Sequence, residues 1–331
     1  MILVTGGTGL VGCHLIYHLI DKKKKVVALK RKSSDLNCVK KVFKSYTKNY
    51  QSIFDKIKWV NGDVNDLESL SIAFQNIDEV YHCAAFISFD HNDFKLMRKI
   101  NIEGTANMVN CSIDFKIKKF CYVSSIAAIG LSTNNFTDEN TEWIETNNPY
   151  SNTKRDAELE VWRGVYEGLN TVIVNPGVII GSGFWKRGSG VIFTQVSRGL
   201  KYFTSGSTGF VCVSDVVKIM FQLMEKNIFS ERFIIVSENL SFEKVFKEIS
   251  VNLGLKPPQA KAGKLLLYIA LIFDFVRSKI KSKKRRLSRS TIESTTSNSF
   301  YSNAKILKNL NFKFKSIDKS IKESSIQFLK K

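Results

Sequence analysis

The chain has 331 residues, of which 44% are hydrophobic, enough to bury a large core as one big domain or one domain with a smaller annexe. Its net charge of +20 comes from lysines scattered along the chain, not from a basic motif with interleaved aromatics, which argues for a solvated basic surface and against a specific nucleic-acid site. The cysteines Cys13, Cys38, Cys83, Cys111, Cys121 and Cys212 are dispersed without a C-x-x-C pair, which argues against disulfides and against a metal site.

Residues 1–12, MILVTGGTGLVG, run an apolar strand into Gly6, Gly9 and Gly12 and then into a helical pattern of Leu10, Val11, Leu15, Leu19 and Ile20. No basic and apolar leader stands ahead of the strand, so a cytoplasmic location is expected. Between strand and helix, Gly6 is expected to allow the tight turn, Gly9 to let backbone approach a pyrophosphate, and Gly12 to let the helix close on the sheet. The helix N-terminus then offers unpaired N–H groups to the phosphates. KVVALK at 25–30 reads as a second strand, followed by Arg31. A carboxylate at this junction suits the ribose hydroxyl of NAD, whereas an arginine suits the 2′-phosphate of NADP. The first acid is Asp35, which reads as the opening of the next helix. NADP(H) is therefore favoured, with Arg31 on the phosphate and NAD(H) as the alternative.

A polar, helix-compatible stretch through about residue 56 leads to a third strand ending at Gly62 and Asp63. That acid suits the adenine amino group or caps the following helix, for which Asp66 is the better cap. DEVYHCAA at 78–85 is a fourth strand, whose Ala84 and Ala85 let backbone lie against a cofactor. This alternation predicts an α/β fold, a doubly wound parallel sheet of the Rossmann type. Residues 93–115 read as one long helix carrying Asn101. KFCYVS then forms a fifth strand that leaves Ser124 and Ser125 at the carboxyl edge, where open sheets bind ligands. Farther on, Tyr150 and Lys154 stand four apart at the start of a helix and share a face. An ammonium near a phenol favours the phenolate and suits acid–base work, although such a pair also serves plain surface packing.

Together TGGTGLVG at 5–12, Asp63, HCAA at 82–85, NIEGT at 101–105, YVSSIAAIG at 122–130, PYSNTK at 149–154 and VNPGVIIGSG at 174–183 resemble the extended short-chain dehydrogenase/reductase superfamily, of the NAD-dependent epimerase/dehydratase type. The resemblance implies an enzyme in which Tyr150 moves a proton to or from the substrate oxygen, Lys154 binds the nicotinamide ribose and Ser125 orients the carbonyl. It implies cofactor contacts from Thr5, Gly6, Gly9, Leu10, Val11, Gly12, Asp63, Val64, Ala84, Ala85, Pro176 and Val178, with Asn101 in support of the local backbone. Dehydratases of the family follow the serine position with an Asp–Glu pair, and this chain has Ile126, Ala127 and Ala128 there. AIG and VNPGV, in place of the epimerases' V-Y-G and R-Y-F-N, resemble the branch of dihydroflavonol reductases and 3β-hydroxysteroid dehydrogenases. The expected activity is hydride transfer between nicotinamide and a small carbonyl or alcohol substrate. A nucleotide-sugar epimerase holding NAD and a non-catalytic dinucleotide sensor are the alternatives.

The expected boundaries are a dinucleotide-binding domain at 1–175, with further core elements inside 205–236, and a substrate-binding lid at 176–331. Phe184 and Trp185 in a glycine-rich loop, with Phe86, Ile87 and Phe89 opposite, either line an apolar pocket or anchor their loops. KLLLYIALIFDFV at 264–276 runs into a basic stretch through 286. It reads either as a helix over the substrate mouth or as a membrane-surface helix with a basic collar, too short to span a bilayer. The Ser/Thr run at 288–302 reads as a loop, followed by two closing helices. By family analogy the helices near 93–115 and 150–168 are expected to form a homodimer bundle.

Overall fold

The structure, a computed structural model, describes residues 1–88, 90–130, 136–144, 146–280 and 288–330. Phe89 and the basic residues 281–286 lie outside them. Seven strands form a parallel central sheet: β1 (Ile2–Thr5), β2 (Val26–Lys30), β3 (Lys58–Asn61), β4 (Glu79–His82), β5 (Lys119–Val123), β6 (Thr171–Pro176) and, after an excursion, β9 (Glu231–Ile235). Their order in space is β9-β6-β5-β4-β1-β2-β3. The excursion adds β7 (Val178–Ile180), parallel to β8 (Ser207–Cys212), which pairs antiparallel with β10 (Glu238–Ser241).

Strands such as Ile2–Thr5 and Thr171–Pro176 are buried throughout, as expected where helices cover both faces. Alternation then sorts the side chains. Ile2 and Val4 join one core with Leu15, Ile16 and Leu19 of α1 (Leu10–Asp21) and Met220 and Leu223 of α6 (Val213–Glu225). Leu3 joins the other, with Met108 and Val109 of α4 (Gly104–Asp114) and Ala157 and Val161 of α5 (Pro149–Tyr166). The chain leaves β1 toward β2 and β3 on one side, and the later strands build outward from β4 on the other. The order therefore reverses between β1 and β4, and this opens a crevice at their carboxyl ends.

One local expectation is refined and another corrected. The helix expected at 93–115 is continuous from Phe94 to Asp114, but Phe94–Met97 passes into a π-helical stretch at Arg98–Glu103 before α4 begins. Inside that wider turn the buried Asn101 is tied to the backbone of Phe86, a contact outside the helix itself. The Ser/Thr run at 288–302 holds a helix, Arg289–Thr296, because the Ser288 hydroxyl caps it by accepting from Thr291 N at 3.1 Å.

Candidate active site

The glycine turn is shaped by close backbone approach. Gly6 has φ +66°, and a Cβ there would lie 2.7 Å from Cys83 and Ala84 backbone at the end of β4. A Cβ on Gly12 would lie 2.4 Å from the Gly6 carbonyl, so the helix closes on the turn only without a side chain. Gly9 is less crowded, with the Gly6 carbonyl at 3.2 Å the one atom within 4 Å of a Cβ there. No side chain caps α1, and its first N–H groups have no partner within the helix. These features fit the pyrophosphate of a dinucleotide.

The other expected cofactor residues line the same edge. Arg31 follows β2 and is exposed, and the exposed Asp35 accepts from Asn37 N at 2.8 Å. Asp63 accepts from Asn65 N at 3.0 Å. Asp66 occupies the cap position before Leu67–Ala73, but its side chain makes no capping bond. Val64 is buried against Gly104, where a Cβ would lie 2.6 Å from Val64 Cγ2. Ala84 is half-buried and Ala85 exposed beyond β4, while Pro176 ends β6 and Val178 opens β7.

Tyr150 and Lys154 lie on the first turns of α5, which begins with Pro149 and is capped by the Asn148 side chain. Burial pushes the Tyr150 phenol up to about 12, and the neighbouring Ser125 hydroxyl pulls it partway back. Lys154 is 1% exposed and donates to Tyr122 Oη at 2.6 Å and Val123 O at 2.9 Å. Burial lowers it to about 7, against the pull of Glu158. Its ammonium is thus held by β5 and not by the phenol of Tyr150, contrary to the simplest reading of their spacing. Asn101 accepts from Phe86 N at 2.8 Å and donates to Phe86 O at 3.0 Å and Thr153 Oγ1 at 3.2 Å, which locks the chain beyond β4 to α5.

Several site residues carried no assignment in the sequence reading. His82 is fully buried, bonded to Thr5 Oγ1 at 2.7 Å and Thr105 Oγ1 at 3.0 Å, and burial lowers it to about 3. Its ring stacks on Tyr122, so Thr5, His82, Thr105 and Tyr122 form one support under Lys154. Glu158, one turn past Lys154, accepts from Ser124 Oγ at 2.6 Å and Asn175 Nδ2 at 2.8 Å and pairs with Arg232 at 3.2 Å. The repeat Tyr150, Lys154, Glu158 at four-residue steps was the available signal. Arg187 donates to Thr8 O in the glycine turn at 2.6 Å while lying over the Phe184 ring.

Of the two readings open for the aromatic residues, packing favours the loop anchors. Phe184 is 4% exposed within the core, and Trp185 packs on Phe193 and Phe328, so both anchor their loop. Phe86 remains half-buried beside the crevice and Ile87 is exposed. Among the described residues no cluster of His, Cys, Asp and Glu is arranged to hold a metal ion, and no helix is long and apolar enough to cross a membrane.

A doubly wound sheet with a glycine turn at its switch point and a Ser, Tyr and Lys group beside it defines a nucleotide-dependent enzyme of the Rossmann class. The sequence matches the NAD dependent epimerase/dehydratase family over residues 2–235, and the chain belongs to that family. It is 26% identical to sterol demethylase protein B of Methylococcus capsulatus, over 82% of this chain and 80% of that one. It is 29% identical to an anthocyanidin reductase of Arabidopsis thaliana, over 73% and 77%. The crystal structure of the UDP-glucose 4-epimerase of Thermotoga maritima superposes with a TM-score of 0.77 at 22% identity, covering 99% of this chain and 98% of that one, a likeness of fold.

Proposed function

We propose that the protein is an NADP(H)-preferring oxidoreductase that moves hydride between nicotinamide and a carbonyl or alcohol carbon. The observation that carries this is the placement of Tyr150 and the buried Lys154 on the first turns of α5 beside Ser125 at the end of β5, followed by Ile126, Ala127 and Ala128 where acid–base carboxylates would be needed for dehydration. The bound dinucleotide supplies or accepts the hydride. Gly6, Gly9 and the first turn of α1, with Leu10 and Val11, hold its pyrophosphate, Arg31 its 2′-phosphate, Asp63 and Val64 its adenine and Lys154 its nicotinamide ribose. Ser125 orients the substrate oxygen and Tyr150 exchanges a proton with it. A phenol pushed up to about 12 stays protonated at neutral pH, which suits donation during reduction. The relatives named as an anthocyanidin reductase and a sterol demethylase protein B support a screen weighted toward apolar, ring-bearing ketones and alcohols.

The test is calorimetric titration with NADPH and NADH, followed by NADPH oxidation over a carbonyl panel. NADPH is expected to bind more tightly, and Arg31→Ala to weaken it by about 10- to 100-fold, the worth of charge-assisted hydrogen bonds at roughly 1.5–3 kcal/mol. Tyr150→Phe is expected to cut turnover by at least about 100-fold with dinucleotide affinity retained. Copurified NAD with no Arg31 effect turns the reading to an epimerase. NADPH affinity without turnover on any carbonyl turns it to a sensor.

A further inference from the structure

The helix α8 (Lys264–Ile280) is built inside out. Leu265, Tyr268, Ile269, Ile272, Phe273 and Ile280 are 54–77% exposed and recur at three- and four-residue spacing, so they form one apolar stripe facing outward. The acid of the helix is on the other side: Asp274 is 7% exposed and paired with Arg277 at 2.5 Å. A lid helix folded against the protein would show the reverse arrangement. Contiguous apolar patches of this kind on a protein surface mark a contact site. The helix is about 25 Å long at 1.5 Å per residue, and it is not apolar enough to cross a bilayer.

Charge selects the occupant. The chain carries +20, and in the sequence the helix runs directly into Lys281, Lys283, Lys284, Arg285 and Arg286. A second copy of the chain would bring the same positive charge to the contact, whereas an anionic bilayer brings the opposite one. We propose that the outward stripe of α8 docks this protein on an anionic lipid surface, with the helix lying in the interface plane.

The experiment is cosedimentation of the full chain with phosphatidylcholine vesicles and with vesicles that also contain phosphatidylserine, at low and high salt. Wild type is compared with the double variant Ile272→Glu/Phe273→Glu. Binding to the phosphatidylserine vesicles is expected, weakened by salt and about tenfold or more weaker for neutral vesicles and for the variant. The variant should keep its melting temperature and its NADPH affinity, since both side chains are exposed in the folded chain. Absence of vesicle binding, equal binding by the variant, or a concentration-dependent dimer that the variant dissolves would each overturn the assignment, the last giving the stripe to a second copy. None of these readouts depends on turnover.

Discussion

Lys154 and His82 are ordinary residue types placed where their charged forms are costly. In the folded chain Lys154 sits near 7, against about 10.5 when exposed, so between these values the unfolded chain holds a proton that the folded chain lacks. Stability must rise with pH across that window, and the cost of the buried cation is fully present below it. His82, near 3 instead of about 6.5, acts in the same direction at lower pH: stability falls as the medium is acidified from 6.5 toward 3, because only the unfolded chain takes up the proton. Melting temperatures of the dinucleotide-free protein from pH 4 to 9.5 should therefore show two rising limbs. Lys154→Met should flatten the upper one and stabilise the protein below pH 7, while His82→Gln should flatten the lower one. Parallel profiles for wild type and Lys154→Met would show that the ammonium is solvated. Nothing in the sequence near His82 marks this role, since its partners Thr5 and Thr105 come from strands and helices far along the chain.

At the scale of elements, what the sequence discloses is what is local. The strand, glycine turn and α1 are contiguous, and their order alone specifies the crevice end of β1. The start of α5 is legible for the same reason, through the PYSNTK run at 149–154 and the Tyr150–Lys154 step. The π-turn at 98–103 was not legible, because residue spacing cannot distinguish it from α-helix and the partner of Asn101, Phe86, lies outside the helix. The helix at 289–296 was obscured by a Ser/Thr-rich composition that also suits loops, although Ser288 caps it. Phe184 and Trp185 could not be assigned to wall or core without knowing that Phe193 and Phe328 fold beneath them. The glycines of the turn separate stability from binding. Gly12→Ala places a methyl 2.4 Å from the Gly6 carbonyl and should cost about 1–3 kcal/mol of stability, as overpacking does. Gly9→Ala meets the Gly6 carbonyl at 3.2 Å, a tight contact relieved by a shift of a few tenths of an ångström, so it should cost less stability than Gly12→Ala while NADPH affinity drops. Thermal melts and titration on both variants check this, and a strongly destabilised Gly9→Ala would mean that the turn, not the ligand, needs that glycine.

Across the whole molecule the chain beyond residue 175 returns to the central sheet and to the core beneath it. β9 returns from the excursion to pair with β6, and α6 contributes Val216, Ile219, Met220 and Leu223 to the same core as α1. The return strand also reaches the candidate site. Arg232 of β9 pairs with Glu158 of α5 and donates to the Glu139 carbonyl at 2.8 Å, while the Glu139 carboxylate accepts from Ile234 N at 2.8 Å. Glu158 in turn holds Ser124 and Asn175, and Asn175 donates to the Ser125 carbonyl at 3.0 Å, so a chain of polar contacts runs from the sheet edge to Ser125. Removing the cation leaves the 3%-exposed Glu158 without its paired guanidinium and with only Lys154 to offset its charge, a loss of up to about 3 kcal/mol for a buried pair broken on one side. Arg232→Met should therefore lower the denaturation midpoint of the full chain and cut turnover through a displaced Ser125, with NADPH affinity less affected. Pairing it with Glu158→Leu should recover much of the stability but not the turnover, since the apolar pair refills the interior without gripping Ser124 and Asn175. Chemical denaturation and single-turnover rates on the two variants separate these effects. Full recovery of turnover in the double variant would show that Glu158 supports the fold and plays no part in positioning the serine.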